Sequence, residues 1–150
     1  LFFRAGTVTA IVGRSGSGKT TFLNLMRGIT GTGLDAEVQM EWEGVPFTRR
    51  DFGRVAYVPQ EVKEYGFHDF ETVWDIMSFH RNLRFPHVSD DVLRGVLDAL
   101  GLGCHLHTPI TDGRDRYNLS GGERKKLFLA VELLSQPQIV LCDEVFSGLD

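Results

Sequence analysis

Apolar positions along the chain recur with two different spacings, which predict two kinds of element. Short apolar or alternating runs predict strands over residues 7–12, 36–43, 54–58 and 139–142. Spacings of three and four residues predict helices over residues 19–28, 72–84, 89–101 and 119–134. Because strands alternate with helices, we expect an α/β domain built around a largely parallel sheet.

The same patterns predict which side chains face a core. Residues 7–12 and 139–142 are β-branched or continuously apolar, which predicts buried strands. Residues 36–43 alternate strictly, so we expect a half-exposed antiparallel strand that turns near Gly44. Ser89 is placed to cap its helix and Gly101 to end it. The inward positions expected in the two middle helices are Val73, Ile76, Met77 and Leu83, then Val92, Leu93, Val96, Leu97 and Leu100.

Composition places the chain among globular proteins. Its 150 residues are 42% hydrophobic and 24% charged, which excludes wholesale disorder. The net charge of −4 argues against a protein that coats nucleic acid, so we expect no nucleic-acid partner. Apolar runs stay short of the roughly 18 residues that suggest a membrane span. Since the chain begins with Leu1 rather than methionine, we expect it to be part of a longer polypeptide.

One small cluster of metal-binding residue types has the wrong spacing for a structural zinc site. Cys104, His105 and His107 fall within four positions, without the second pair of ligands that such sites use. We therefore expect a surface turn there.

Residues 13–20, GRSGSGKT, match the phosphate-binding pattern G-x-x-x-x-G-K-[ST]. A predicted strand precedes the match and a predicted helix follows it, as the motif requires. The glycines allow successive backbone N–H groups to point at phosphate oxygens at the start of a helix, where anions are favoured. Lys19 is then placed to reach the β- and γ-phosphates of a nucleotide, and Thr20 to ligate Mg²⁺.

A second group of candidate residues follows the apolar run 139–142. Asp143 comes at the carboxyl end of that predicted strand, where open α/β sheets bind their ligands. A carboxylate there can hold Mg²⁺, usually through water, because Mg²⁺ prefers oxygen ligands. Glu144 points in a different direction and can orient or deprotonate an attacking water.

A third motif distinguishes between families of phosphate-binding domains. Residues 119–123, LSGGE, open a predicted helix, so Ser120 and the amides of Gly121 and Gly122 form a second anion-binding N-terminus. The order of phosphate loop, LSGGE and apolar strand ending in Asp-Glu resembles the nucleotide-binding domain of ATP-binding-cassette (ABC) proteins. In that family two domains pair head to tail, and the LSGGE signature of each contacts the ATP held by the other domain.

The resemblance covers essentially the whole chain and implies a fold. It implies a P-loop NTPase, with a RecA-like α/β core and a mainly parallel sheet, an antiparallel β portion and an inserted α-helical subdomain. Residues 1–150 then form a partial ABC ATP-binding domain. Its segments are the Walker A motif at 13–20, the Q-loop near 60, the helical subdomain at about 61–120, the signature at 119–123, the Walker B motif at 139–144 and the D-loop at 147–150.

The resemblance also implies roles for single residues. Glu144, Gln60 and Lys19 correspond to catalytic residues, and Thr20, Gln60 and Asp143 to residues that hold Mg²⁺. The corresponding ATP-binding residues are Gly13, Arg14, Ser15, Gly16, Ser17, Gly18, Lys19, Thr20 and Thr21. Those that act on the ATP of the partner domain are Leu119, Ser120, Gly121, Gly122 and Glu123, with Asp150 at the interface in the D-loop.

Within the family, residues 121–126 (GGERKK), 130–134 (AVELL) and 147–150 (SGLD) are most similar to the G (White/pleiotropic drug resistance) subfamily. The resemblance implies ATP and Mg²⁺ as cofactors, a second ABC domain as partner, and a transmembrane domain in the same chain. It also implies a position on the cytosolic face of a membrane and export of a lipid, sterol or xenobiotic.

Two alternatives stay open at this point. One is a soluble ABC ATPase of the translation or repair type, which transports nothing. The other is a degenerate domain that does not hydrolyse ATP, because Val145 and Phe146 stand where the family usually has proline and threonine. The family's adenine-stacking residue and switch histidine are expected outside residues 1–150.

Overall fold

The computed structural model describes residues 2–29, 40–60, 72–110 and 118–144. The chain divides into two compact units, Leu1–Arg49 and Arg50–Asp150, which are described separately. None of the helices in the described ranges has the length and apolar character needed to cross a bilayer.

In the described part of the first unit, helix α1 spans Lys19–Met26. It begins directly after Gly18, and Leu23 is its buried side chain. This helix confirms the prediction made from the apolar spacing of residues 19–28. The glycines expected to form the following loop, Gly31 and Gly33, lie outside the described residues.

A β-hairpin is also present in the first unit. Strands β1, Glu41–Trp42, and β2, Val45–Pro46, pair antiparallel across a two-residue turn. Both turn residues have positive φ, 51° at Glu43 and 80° at Gly44, as a type I′ hairpin turn requires. The antiparallel pairing and the turn near Gly44 confirm the prediction, while residues 36–39 lie outside the described residues.

The prediction of a buried strand over residues 7–12 is wrong. Within the described ranges these residues pair with no strand, and Val8 and Val12 are exposed. A β-branched run favours extended backbone, but a strand is stabilised by hydrogen bonds and side-chain contacts with a neighbouring strand. The residue types of a run do not show whether a neighbouring strand is present.

The second unit is built on two parallel strands. Strand β3, Val55–Val58, lies beside strand β4, Ile139–Cys142, with the first residues of the two strands opposite each other. A 3-10 helix at Arg49–Arg54 precedes β3. The parallel pairing of segments more than eighty positions apart confirms the expected α/β arrangement.

Strand β4 is less buried than its apolar sequence predicts. Leu141 is buried, but Val140 and Cys142 are exposed. Residues paired in register lie on the same face of a sheet, so Val140 and Cys142 share a face with Ala56 and Val58. Other parts of the chain cover this face at β3, where Ala56 and Val58 are buried, but not at β4. An apolar run shows that a strand tolerates burial, whereas the tertiary structure decides what covers it.

Among the residues described in the second unit, three α-helices enclose the core. Helices α2, Val73–Arg84, and α3, Asp90–Ala99, both pack against α4, Gly121–Leu133, and α4 also packs against β3. All three helices confirm the predicted positions. The buried side chains that these helices contribute to the core cluster are Val73, Ile76, Met77, Leu93, Leu97, Leu127, Ala130 and Val131.

Two side chains predicted to face this core do not. Leu83 is 67% exposed and Val92 is 40% exposed. Leu83 lies in the last turn of α2 and Val92 in the first turn of α3. A helix face is buried only where another element lies opposite, and periodicity does not show where that contact ends.

The helix starts differ in how they are capped. Thr72 and Ser120 each form a capping box, with Asp75 at the start of α2 and with Glu123 at the start of α4. Ser89 occupies the N-cap of α3 as predicted, but its side chain makes no capping hydrogen bond. Gly101 follows α3 with a φ of 71°, which confirms it as the residue that ends the helix.

Candidate active site

The phosphate-loop segment of the first unit depends on glycine at particular positions. Gly16 and Gly18 have φ of 77° and 89°, a conformation that residues with a Cβ rarely adopt. A Cβ on Gly13 would lie 2.5 Å from the Ser17 hydroxyl oxygen. The amide of Ser17 also donates to the Arg14 carbonyl at 3.1 Å, which closes a turn inside the loop.

Lys19 is the first residue of α1 and folds back over the loop. Its ammonium group donates to the carbonyl oxygens of Gly13 at 3.0 Å and Arg14 at 3.2 Å. Gly18 stands at the N-cap of α1, where no side chain makes a capping hydrogen bond. The start of the helix therefore combines uncapped amides with a positive charge, a combination that favours an anionic ligand.

In the second unit, the strand pairing brings three predicted site residues to one edge of the sheet. Gln60 follows β3 by two positions, and Asp143 and Glu144 follow β4 directly. The side-chain amide of Gln60 donates to a Glu144 carboxylate oxygen at 2.6 Å. Parallel strands end at the same edge of a sheet, so residues 84 positions apart in sequence come into contact.

Asp143 is the buried member of this group, with only 4% of its surface exposed. Its backbone amide donates to the Val58 carbonyl at 2.9 Å, which continues the β3–β4 hydrogen-bond ladder past the last strand residue. The Tyr57 hydroxyl donates to a carboxylate oxygen of Asp143 at 3.3 Å. Backbone and side chain are thus both tied to β3.

These side chains carry the oxygen donors that Mg²⁺ prefers. Asp143 supplies a carboxylate and Gln60 an amide oxygen, whose companion nitrogen already donates to Glu144. Magnesium sites that act on nucleotides use few protein oxygens, together with water and phosphate oxygens. The donor set at the ends of β3 and β4 therefore fits Mg²⁺.

The signature residues form the start of α4. The Ser120 hydroxyl accepts from the amide of Glu123 at 3.2 Å, and the Glu123 carboxylate accepts from the amide of Ser120 at 2.7 Å. The bond from the Ser120 amide is the largest cause that lowers the pKa of the Glu123 carboxyl, and the Ser120 side chain lowers it further. Gly121 and Gly122 contribute the amides between the two bonded positions, and Leu119 is buried below them.

His105 also contacts the signature. Its Nε2 lies 3.2 Å from the second carboxylate oxygen of Glu123, and the other ring nitrogen lies 3.4 Å from the Thr108 hydroxyl. The 3-10 helix at Gly103–His105 confirms the turn expected there. The contact between His105 and Glu123 was not predicted, since eighteen positions separate them in sequence.

The structure brings together some of the predicted site residues and leaves others undescribed. Gln60, Asp143 and Glu144 lie together, and the loop and signature residues lie within their own segments. Tyr57 was not predicted as a site residue, although its place three positions before Gln60, in a predicted strand, was a usable signal. The D-loop with Asp150, residues 145–146, and parts of the helical subdomain at 61–71 and 111–117 lie outside the described residues.

Comparison with known protein families gives a match over nearly the whole chain. The family model described as ABC transporter matches residues 1–147. Protein scarlet of Drosophila melanogaster is 37% identical over 153 residues, a match that covers 97% of this chain and 22% of that protein. ABC transporter G family member 7 of Arabidopsis thaliana is 34% identical over 154 residues, covering 98% of this chain and 21% of that protein. The chain thus spans about a fifth of the length of these relatives.

The fold has a close counterpart among solved structures. The structure of cbiO1 from Clostridium perfringens, part of the ABC transporter complex cbiONQ, matches with a TM-score of 0.78 at 23% identity. The match covers 100% of this chain and 59% of that one, and it confirms the P-loop NTPase fold. Together, the family match and the G-family relative show that this chain belongs to the ABC transporter family, is most similar to its G subfamily, and forms part of an ATP-binding domain.

Proposed function

We propose that this chain binds and hydrolyses ATP to drive transport across a membrane. The observation that carries the proposal is the 2.6 Å hydrogen bond between Gln60 and Glu144, directly beside the buried carboxylate of Asp143. Two carboxylates and an amide at the carboxyl ends of parallel strands can hold a metal and activate water side by side.

The loop of residues 13–20 holds the phosphates of ATP. Backbone amides at the start of α1 bind phosphate oxygens, and the ammonium of Lys19 exchanges its carbonyl partners for the β- and γ-phosphates. Arg14, Ser15, Ser17 and Thr21 complete the phosphate-binding segment. Its glycines permit the close approach of the backbone that this binding needs.

In the second unit, Asp143 and Gln60 would hold Mg²⁺. The ion supplies charge neutralisation for the phosphate oxygens when it is bound. Asp143 contributes a carboxylate kept in place by β3, and Gln60 contributes its amide oxygen while its nitrogen stays on Glu144. The family motif alone assigns the hydroxyl of Thr20, in the first turn of α1, to Mg²⁺.

Glu144 orients the attacking water and accepts its proton. Its φ of 48° turns the chain immediately after Asp143, so that the two neighbouring carboxylates point in different directions. Gln60 donates to one oxygen of Glu144, which helps to fix the orientation of the carboxylate. A base held in this way contributes about 10²- to 10⁴-fold to a reaction rate.

The signature acts on ATP held by a second ABC domain. Ser120 and the amides of Gly121 and Gly122 present donors at the start of α4, and the capping box with Glu123 fixes their backbone. The buried side chain of Leu119 anchors the start of α4 in the core. Asp150, in the D-loop, is assigned to the interface with the second domain. Pairing with another ABC domain, head to tail, completes each nucleotide site.

The proposed cargo rests on the similarity to the G subfamily. Similarity to a G-family member supports a domain on the cytosolic face of a membrane, joined to a transmembrane domain in the same chain, that exports a lipid, sterol or xenobiotic.

A single substitution tests the hydrolytic role in the full-length protein that carries this domain. Glu144→Gln removes the base, so steady-state phosphate release should fall at least about 100-fold while ATP binding is kept. Glu41→Gln is a matched control, because it changes an exposed glutamate of β1 that belongs to no motif. Normal turnover in Glu144→Gln would refute the role of Glu144.

A further inference from the structure

The hydrogen bond between Tyr57 and Asp143 joins a residue that belongs to no motif to the buried carboxylate of the site. Tyr57 lies in the middle of β3, opposite Leu141 in the strand register. Asp143 comes two positions after Leu141, a diagonal that an aromatic side chain can span. The hydroxyl oxygen lies 3.3 Å from Oδ2 of Asp143.

The backbone on both sides of this contact is fixed. Val58 lies opposite Cys142 in the parallel ladder, and the Asp143 amide donates to the Val58 carbonyl at 2.9 Å. What the backbone leaves open is rotation of the Asp143 side chain, because its carboxylate can turn about its last torsion. A donor from β3 to one oxygen stops that rotation.

Burial makes the orientation of Asp143 consequential. A carboxylate that is 4% exposed has lost most of its water, so its oxygens depend on protein donors. With Oδ2 held by Tyr57, Oδ1 is the oxygen left for another partner. Residues that do not touch the metal commonly orient a metal-binding carboxylate by hydrogen-bonding to it.

We propose that Tyr57 is a positioning residue, whose hydroxyl holds Oδ2 of Asp143 so that Oδ1 is presented to Mg²⁺. This inference rests on the proposed function, since it assigns Asp143 to the Mg²⁺ of the ATP site. The ring of Tyr57 is half-buried, and phenylalanine would fill the same space. Tyr57→Phe therefore removes the hydroxyl while keeping the packing of the ring.

The test is ATP binding to the full-length protein by isothermal titration calorimetry, with Mg²⁺ and with EDTA. The ratio of the two dissociation constants measures how much Mg²⁺ strengthens binding. In Tyr57→Phe we expect this ratio to fall about tenfold, the lower end of the effect of removing a partner behind a metal ligand. Binding in EDTA and the thermal melting temperature should stay close to wild type.

A double-mutant cycle shows whether Tyr57 acts through Asp143. Asp143→Asn should itself reduce the Mg²⁺ effect, and adding Tyr57→Phe to it should reduce the effect no further. If the second substitution still lowers the ratio in the Asp143→Asn background, Tyr57 does not act through Asp143 and the inference is overturned.

The remaining outcomes separate this inference from the proposed function. An unchanged ratio in Tyr57→Phe, with a reduced one in Asp143→Asn, overturns the inference and leaves the ATP site intact. Equal weakening with Mg²⁺ and with EDTA makes Tyr57 a structural residue only, and also overturns it. No effect of Mg²⁺ on the wild-type protein overturns the proposed function and the inference together.

Discussion

Lys19 is the single residue on which the proposed ATP binding depends most directly. In the structure its ammonium lies on two carbonyl oxygens of its own loop, which keeps the positive charge at the start of α1. The carbonyl acceptors of those bonds are neutral, whereas a phosphate oxygen is anionic and would attract the ammonium more strongly.

Lys19→Ala should therefore weaken ATP binding by about 1.5–3 kcal/mol, or roughly 10- to 150-fold, the range for hydrogen bonds to charged groups. Titration calorimetry of the full-length protein measures it. Arg50→Ala is the control, because it removes one exposed positive charge from outside the motifs. Equal losses in the two variants would mean that net charge, and not the loop, governs binding.

Glu123 makes the stability of the signature helix depend on pH. Hydrogen bonds from Ser120 lower its pKa below the ordinary value near 4.5, and the charge of His105 adds to this. A lowered pKa means that the carboxylate stabilises the fold above its unfolded pKa. The contribution is lost as the pH falls through the folded pKa.

Glu123→Gln keeps the capping geometry and removes the charge. Near neutral pH the variant should be less stable by about 0.3–1 kcal/mol, the usual size for a carboxylate at a helix N-terminus. Between about pH 5.5 and about pH 3 this difference should shrink toward zero. Urea unfolding of both proteins across that range measures it, and a difference independent of pH would contradict the assignment.

Among the elements, α2 and α3 offer a natural comparison of two N-caps. Thr72 accepts a hydrogen bond from the Asp75 amide at 3.2 Å, and Asp75 accepts from the Thr72 backbone. Ser89 holds the same position in α3 without a capping bond from its side chain. The sequence alone gives both residues the same role.

Thr72→Ala should destabilise the fold by about 1 kcal/mol, the typical cost of losing a working N-cap. Ser89→Ala, the matched control, should cost much less because its side chain makes no such bond. The shift of the urea midpoint at constant m-value measures both. Equal shifts would show that the two caps contribute alike.

The elements also show why some predictions succeeded and others failed. The helices over 72–84 and 119–134 were predicted because their caps and apolar spacing are local features. The strand predicted over 7–12 failed because strand formation needs a partner that local sequence does not specify. The prediction that Leu83 and Val92 face the core failed for a related reason, since periodicity defines a helix face but not what lies opposite it.

For the whole molecule, the proposed function requires that ATP bring two ABC domains together. In the Glu144→Gln background, where hydrolysis is blocked, ATP should convert the full-length protein to a stable closed pair of domains. The signature helix of each domain should then contact the other domain's nucleotide through the start of α4.

Gly121→Asp tests that contact. A Cβ at Gly121 meets nothing within 4 Å, and an aspartate at the start of α4 suits its helix dipole, so the fold should be kept. The added carboxylate should repel the partner's ATP and abolish ATP-dependent closure. A distance measurement between spin labels on the two domains detects it.

Gly95→Asp is the control, because Gly95 also has open space around it and lies in the middle of α3, outside the signature. It should leave ATP-dependent closure intact. Closure that persists in Gly121→Asp would refute the role of the signature in binding the partner's ATP.

The sequence by itself determined the motifs, the helices and the family. The phosphate loop, LSGGE and the Asp-Glu pair are local patterns, and their chemistry follows from residue types at fixed spacing. The tertiary structure decided which distant residues meet. Only the parallel pairing of β3 with β4 places Gln60 on Glu144 and Tyr57 on Asp143, and only the packed helical core places His105 on Glu123. Such contacts depend on strand register and helix packing, which no local pattern encodes.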